Sequence, residues 1–156
     1  ATRWEGRLER MGERPLVLLD GAHNPAAAER LADALRDIFP GHYEHLILLL
    51  GILGDKDMEG IIQPLAPLAH KVIVAPPDYY RASLPASMKQ VVLKYNANVE
   101  ESPSIAAAIE AALAGATERD MVCITGSLFT AGEARGILLR SKDPAHLAHS
   151  FAGLKG

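Results

Sequence analysis

"PLVLLDGAHNP" (15–25) is the stretch that decides the fold. Its apolar run stops at an acid, Asp20, which is followed by a glycine, a histidine and the pair Asn24–Pro25. A short, near-continuous apolar run predicts a buried strand, and asparagine followed by proline is typical of the start of a helix. This single segment therefore predicts a strand, a short loop and a helix in direct succession.

The same succession recurs along the chain. Near-continuous apolar strands alternating with helices are typical of a mostly parallel sheet covered by helices on both faces, which predicts an α/β fold of five or six strands. A short edge strand at "GRLERM" (6–11) is expected to lead into a hairpin. The other predicted strands are "HLILLLGIL" (45–53), "KVIVAP" (71–76), "MVCITG" (121–126) and, more weakly, "NANVEE" (96–101).

The helices between these strands are predicted from capping residues and apolar stripes. The first carries Leu31, Leu35, Ile38 and Phe39 on one stripe. The predicted helices are one capped by Asn24, one from Asp57 to about Ala69, one over 84–94, one started by Ser102 and Pro103 with a buried stripe of Ile105, Ile109, Ala112 and Leu113, and one over 130–140.

Length and composition exclude several classes of protein. A chain of 156 residues with 49% hydrophobic and 22% charged residues is typical of one globular domain. A net charge of −3 gives no electrostatic footprint for nucleic acid, and no apolar run approaches the roughly 20 residues of a membrane span. The single cysteine, Cys123, excludes a disulfide framework and favours a reducing, cytoplasmic setting. The missing initial methionine indicates either processing or a piece of a longer protein.

Polar side chains gather where the predicted strands end, which is where open α/β sheets bind ligands. Glycines and helix N-termini at these ends favour an anionic ligand such as a nucleotide or a carboxylate. The residues concerned are Asp20, His23 and Asn24 after the first strand, Lys56 within "GILGDKD" (51–57), Asp78 and Arg81 in the loop 76–85, and Ser127 and Thr130 after the last strand.

Each of these residues also has a purely structural interpretation. Asp20 before a glycine is ordinary turn chemistry, in which asparagine would serve as well. His23 and Lys56 are consistent with solvated side chains, and Ser127 with a helix cap. Walker A, dinucleotide-binding, G-x-S-x-G and zinc-ligand patterns are all missing from the sequence.

Four motifs follow one another along the chain: "WEGRLE" (4–9), "DGAHNP" (20–25), "GILGDKD" (51–57) and "VCITGSLFTAGEAR" (122–135). In this order they resemble the motifs of the folylpolyglutamate synthases and bifunctional dihydrofolate synthases of the Mur ligase superfamily. The resemblance covers residues 4–140, with Glu5 standing where proline is usual. A peptidoglycan-type Mur ligase fits less well, because Gly21 stands where those sequences commonly have tyrosine.

The resemblance implies a Rossmann-like C-terminal domain at 1–140, followed at 141–156 by a tail that is either a loosely docked helix or disordered. The implied partner is the protein's own N-terminal ATPase domain, which would hold the Walker A loop and the ligands of Mg²⁺. Together the two domains would form a cytoplasmic, monomeric, ATP-dependent ligase that joins L-glutamate to folate or dihydropteroate through an acyl phosphate. The chain by itself is then expected to be inactive.

The resemblance also implies roles for individual residues. Arg7, Asp20, His23 and Asn24 would bind ATP, with Arg7 at the phosphates and Asp20 at the ribose hydroxyls. Lys56, Ser127 and Leu128 would hold the incoming glutamate, and His23 and Lys56 would be the catalytic residues. Whether the parent is a folylpolyglutamate synthase, a dihydrofolate synthase or both stays open, and a non-catalytic nucleotide-binding or interaction module is the alternative from another class.

Overall fold

Six strands form one sheet in the part of the chain that the computed structural model describes, residues 8–37 and 40–141. The strand order is β1-β2-β6-β3-β4-β5, and only β1 runs antiparallel to its neighbour. The predicted mostly parallel sheet is therefore confirmed. The strands are β1 (Glu9–Glu13), β2 (Leu16–Leu19), β3 (Leu46–Leu50), β4 (Lys71–Val74), β5 (Val99–Glu101) and β6 (Met121–Thr125).

Helices fill the connections, and local side-chain chemistry starts them. Asn24, Asp57, Ser104 and Ser127 each accept a hydrogen bond from the backbone N–H three residues on, which satisfies a donor that the first helical turn leaves without a partner. Pro85 occupies the first turn of the remaining helix. The helices are α1 (Pro25–Asp37), α2 (Met58–Leu65), α3 (Pro85–Val92), α4 (Ile105–Gly115) and α5 (Leu128–Ser141), with a 3₁₀ turn at Ala66–Leu68.

The helices cover both faces of the sheet. Successive strand residues point to opposite faces, so Leu16 and Leu18 pack in the core under α1, α2 and α3, whereas Val17 and Leu19 pack in the core under α4 and α5. All four residues of β2 and all five of β3 and of β6 are buried. Burial on two faces explains why these strands have continuous apolar sequences.

Three predicted helix boundaries are wrong. Ser104, not Ser102, caps α4, because the Ser102 N–H continues the β5 ladder by donating to the Val74 carbonyl at 2.9 Å. The second helix ends at Leu65 rather than near Ala69, and a 3₁₀ turn containing a proline follows it. Helix α5 begins two residues before the predicted start at 130, since Ser127 is its cap.

Some predictions lie outside the described residues. They concern Arg7, the apolar residues Ile38 and Phe39, and positions 142–156 of the tail, while Ser141 is the last residue of α5. The proposed division at 140 stays a prediction. Within residues 8–37 and 40–141, no helix has the length and apolar character that a membrane span requires.

Candidate functional site at the carboxyl edge of the sheet

The carboxyl ends of β2, β6 and β3 lie side by side. The chain leaves β2 and β3 toward α1 and α2 on one face, but it leaves β6 toward α5 on the other. Loops that depart in opposite directions from neighbouring parallel strands open a crevice between them, and ligands of open α/β sheets bind there. Most of the sequence-predicted site residues follow these three strands.

Asp20 closes β2 and is buried, with 9% of its surface exposed. One carboxylate oxygen accepts the N–H of Ala22 at 2.9 Å, and the other accepts the N–H of Leu8 at 3.1 Å. The first bond is the predicted turn, whereas the second joins the turn to the chain that leads into β1. Asp20 therefore shapes the loop by holding two backbone amides, and its predicted contact with ribose stays a prediction.

His23 and Asn24 continue this loop. His23 is half-buried, and its Nδ1 lies 3.0 Å from the Gly21 carbonyl oxygen. A carbonyl can only accept, so Nδ1 donates this bond, and in the neutral ring Nε2 is left as an acceptor. Asn24 is exposed and uses its Oδ1 to cap α1 through the N–H of Ala27 at 2.8 Å.

A pocket of about 260 Å³ brings Asp20, His23 and Asn24 together. The sequence reasoning missed two further members of its lining, Leu8 and Arg30. The spacing of Ala27, Arg30 and Leu31 within α1 is the signal that could have found Arg30, because residues three or four positions apart share one face of a helix. The exposed Arg30 makes no ion pair with any residue that the structure describes.

Two glycines let the loops after β3 and β6 touch. A Cβ on Gly126 would lie 2.6 Å from the Gly51 carbonyl oxygen, and Gly126 has a φ of +114°, a conformation that side chains disfavour. A Cβ on Gly51 would lie 2.5 Å from Thr130 Oγ1 and 2.9 Å from the Ala75 carbonyl oxygen. These two glycines were expected to let backbone approach a ligand, but here they let one strand end approach another.

The predicted glutamate ligand Ser127 lies within this contact. Its side chain is buried, accepts the Thr130 N–H at 2.9 Å and donates to Thr130 Oγ1 at 3.0 Å. Thr130 in turn donates to the Gly51 carbonyl at 2.8 Å. The Ser127 hydroxyl is therefore engaged as the cap of α5, and a contact between Ser127 and glutamate remains a prediction.

Lys56 is exposed in the turn between β3 and α2. Both flanking acids are engaged with other groups: Asp55 lies 3.6 Å from the Arg81 guanidinium, and Asp57 caps α2. Lys56 itself makes no ion pair within the described part of the chain. It is a solvent-exposed cation at the carboxyl edge of the sheet, but it does not line the pocket of Asp20 and His23.

An exposed apolar shelf lies at the same edge. Tyr79 and Phe129 stack with ring centroids 4.0 Å apart and planes 13° apart. Tyr80 and Leu128, beside them in the chain, are 82% and 56% exposed. Glu133 fixes the shelf by accepting the backbone N–H of Asp78 at 2.7 Å. The predicted residue Leu128 is therefore available to another molecule or domain.

Comparisons with known proteins agree with this architecture. A family model described as "Mur ligase, glutamate ligase domain" matches residues 6–128. A dihydrofolate synthase/folylpolyglutamate synthase of Mycobacterium tuberculosis is 34% identical over 154 residues, which cover 89% of this chain and 31% of the relative. The chain spans less than a third of the length of the curated relatives that it matches.

Two solved structures extend the comparison. Mycobacterium tuberculosis folylpolyglutamate synthase complexed with ADP is similar with a TM-score of 0.80 and 33% identity, over 87% of this chain and 32% of that chain. A bifunctional folylpolyglutamate synthase/dihydrofolate synthase with Mn, AMPPNP and L-glutamate bound has a TM-score of 0.75 and 26% identity, over 89% and 32%.

The resemblance predicted from four short motifs thus extends to the whole sheet. The family match spans the segment from the approach to β1 to the start of α5, and it includes the "DGAHNP" and "GILGDKD" loops at the carboxyl edge. The chain belongs to the Mur ligase family and contains its glutamate ligase domain.

Proposed function

We propose that this chain is the C-terminal domain of an ATP-dependent ligase that joins L-glutamate to folate or dihydropteroate. The observation that supports this most directly is the shared pocket of Asp20, His23 and Asn24 at the carboxyl edge of the sheet. The similar solved proteins, whose structures contain ADP or AMPPNP with L-glutamate, support a nucleotide and an amino acid as ligands here.

In the proposed reaction, an oxygen of the folate carboxylate attacks the γ-phosphorus of ATP and ADP leaves, which produces an acyl phosphate. The glutamate amine then attacks the acyl carbon, phosphate leaves, and the nitrogen loses a proton to give the amide. The protein's contribution to such chemistry is mainly positioning and neutralisation of charge. This chain would complete a site whose phosphate-binding loop lies in an N-terminal ATPase domain.

Within the nucleotide site, the loop 20–24 would face the adenosine. Asp20 would accept from the ribose hydroxyls while it keeps the loop in shape, and His23 would offer Nε2. Among the described lining residues Arg30 carries the permanent positive charge, and a guanidinium binds phosphate oxygens through two parallel hydrogen bonds. Arg7, which lies outside the described residues, would also bind the phosphates.

Magnesium is expected to bind elsewhere. Mg²⁺ prefers an octahedral set of carboxylates, waters and substrate phosphates. Three carboxylates at this edge are engaged with groups of the protein itself, since Asp20 binds backbone amides, Asp55 pairs with Arg81, and Asp57 caps a helix. We therefore expect the ligands of Mg²⁺ to come from the ATPase domain rather than from these three carboxylates.

For glutamate, we propose that Lys56 binds one of its carboxylates and that Ser127 and Leu128 also contribute to the glutamate site. Lys56 has no competing ion pair among the described residues, because its acidic neighbours are engaged with other groups. The hydroxyl of Ser127 is held in the cap of α5, so Ser127 would act by fixing the start of that helix next to the bound amino acid. Lys56 and His23 would be the residues nearest the chemistry.

The test compares two arginines of α1 in the intact parent enzyme. Arg30 lines the pocket, whereas Arg36 lies on the same helix, pairs with Asp33 and is outside the pocket. Arg30→Ala should raise the KM for ATP about tenfold or more, because hydrogen bonds to charged groups contribute about 1.5–3 kcal/mol and about 1.4 kcal/mol is a factor of ten. Arg36→Ala should leave that KM unchanged, and His23→Gln should raise it.

The assay is ADP release that depends on L-glutamate together with folate or dihydropteroate. Equal KM values for ATP in Arg30→Ala and Arg36→Ala would contradict the nucleotide pocket. Activity with a peptidoglycan precursor but not with folate would assign the domain to a peptidoglycan-type Mur ligase. A parent protein without any ligase activity would instead support the alternative of a non-catalytic nucleotide-binding module. The 156-residue chain alone should show no ligation, since the phosphate cradle is expected in the other domain.

A further inference from the structure

The opposite edge of the sheet holds a second cluster of polar side chains. A pocket of about 320 Å³ is lined by the residues that directly precede four neighbouring parallel strands: Asp120 before β6, His45 before β3, His70 before β4 and Asn98 before β5. None of these residues belongs to the proposed ligase site, which lies at the carboxyl ends of the same strands.

Asp120 is the unusual member of the cluster. Its side chain is 6% exposed, and its Oδ2 accepts the backbone N–H of Thr117 at 2.8 Å. Its Oδ1 is buried without a hydrogen-bond donor among the described residues. A buried carboxylate oxygen without a short hydrogen bond is costly, so a cation bound beside this atom would be stabilising.

Nδ1 of His45 forms a long ion-pair contact with this oxygen, at 3.4 Å. That distance exceeds the usual hydrogen-bond range of about 2.7–3.2 Å. It matches the separation of two ligand atoms on one tetrahedral zinc ion, about 3.3 Å for bonds of about 2.0–2.1 Å. A carboxylate oxygen of Glu44 completes the group, and the three ligand atoms all lie within 4.8 Å of one another.

We propose that Glu44, His45 and Asp120 bind a divalent transition-metal ion of the zinc class. One imidazole with two carboxylates suits zinc better than magnesium, which prefers an all-oxygen set. The site is structural, because its ligands come from the segments that lead into β3 and β6. Those segments are already joined by the bonds from Glu44 N to the Arg119 carbonyl and from Met121 N to the His45 carbonyl, at 2.7 and 2.9 Å.

The surroundings hold the ligands in place. The bond from Thr117 orients the Asp120 carboxylate, and the His70 ring, with its centroid 4.5 Å from that of His45, limits rotation of the imidazole. Hydrogen bonds such as the one from Thr117 commonly fix the orientation of metal ligands. Arg119 competes for the site, since its guanidinium lies 3.0 Å from Glu44 Oε1, so the metal must share that carboxylate or displace the arginine.

Calorimetric titration of the tag-free, EDTA-treated chain with ZnCl₂ tests the proposal, and MgCl₂ serves as the comparison metal. The expected result is one equivalent of zinc bound, a raised unfolding temperature, and no matching effect of magnesium. His45→Gln and, independently, Glu44→Gln should each weaken zinc binding at least tenfold. Both side chains are about half-exposed, so these variants should fold.

The matched control is His42→Gln, which removes an exposed histidine three residues from His45. Zinc binding should survive this change. The proposal is overturned if zinc does not bind in a one-to-one ratio, if His42→Gln weakens binding as much as His45→Gln, or if both Glu44→Gln and His45→Gln bind zinc as the unaltered chain does.

Discussion

Replacing Asp20 by asparagine tests the role that the structure gives this residue. The carboxylate accepts two backbone N–H groups, from Ala22 and from Leu8, in a buried position. Asparagine has one acceptor oxygen and a donor NH₂ group in place of the second oxygen. A turn former alone would tolerate this change, but a residue that holds two amides would not.

The magnitude follows from which bond is lost. Asparagine can keep the local bond to the Ala22 N–H, because it forms the same turn as aspartate. The N–H of Leu8, which lies in a partly buried position, then faces the NH₂ group, and loss of its acceptor costs up to about 1–3 kcal/mol. For a domain of this size, about 1 kcal/mol corresponds to about 2–4 °C, so Tm should fall by about 2–12 °C.

Thermal and urea unfolding, followed by circular dichroism, measures this difference. The matched control is Asp57→Asn, because Asp57 accepts one N–H, that of Gly60 at 3.0 Å, and asparagine caps helices as well as aspartate does. The control should melt within about 1–2 °C of the unaltered chain, given an expected change below about 0.5 kcal/mol. If the two variants melt together, the contact between Asp20 and Leu8 does not contribute to stability and the reasoning is refuted.

Two further predictions concern the centre of the sheet. Gly126→Ala should lower the free energy of unfolding by about 2–5 kcal/mol, because its Cβ would meet the Gly51 carbonyl and its φ is positive. The control Gly132→Ala, in open space on α5, should raise the free energy of unfolding by up to about 1 kcal/mol. Equal urea midpoints for the two variants would contradict the close contact between Gly126 and Gly51. Burial and, after it, the charge of Asp20 raise the pKa of the Cys123 thiol. This thiol should react with a disulfide reagent only as fast as the chain opens, in contrast to immediate reaction in urea.

Local sequence was sufficient for the order of elements. Continuous apolar runs predicted β2, β3, β4 and β6, because strands covered on both faces need apolar residues at every position. Asn24 and Asp57 predicted the starts of α1 and α2, because a cap is an interaction across three residues. The Ser102 prediction was wrong, since the N–H of that residue pairs with β4, a distant segment.

The sequence by itself also indicated the family, because four motifs in order, among them "DGAHNP" and "GILGDKD", carry the resemblance that the family match later confirmed. Only the tertiary structure decided what the side chains in those loops contact. Asp20 binds Leu8, Gly126 touches Gly51, and Asp120 faces His45 across 12, 75 and 75 positions of the chain respectively. The physical reason is that the sheet places β1 antiparallel beside β2 and inserts β6 between β2 and β3, and no local pattern of residues encodes which strand ends become neighbours.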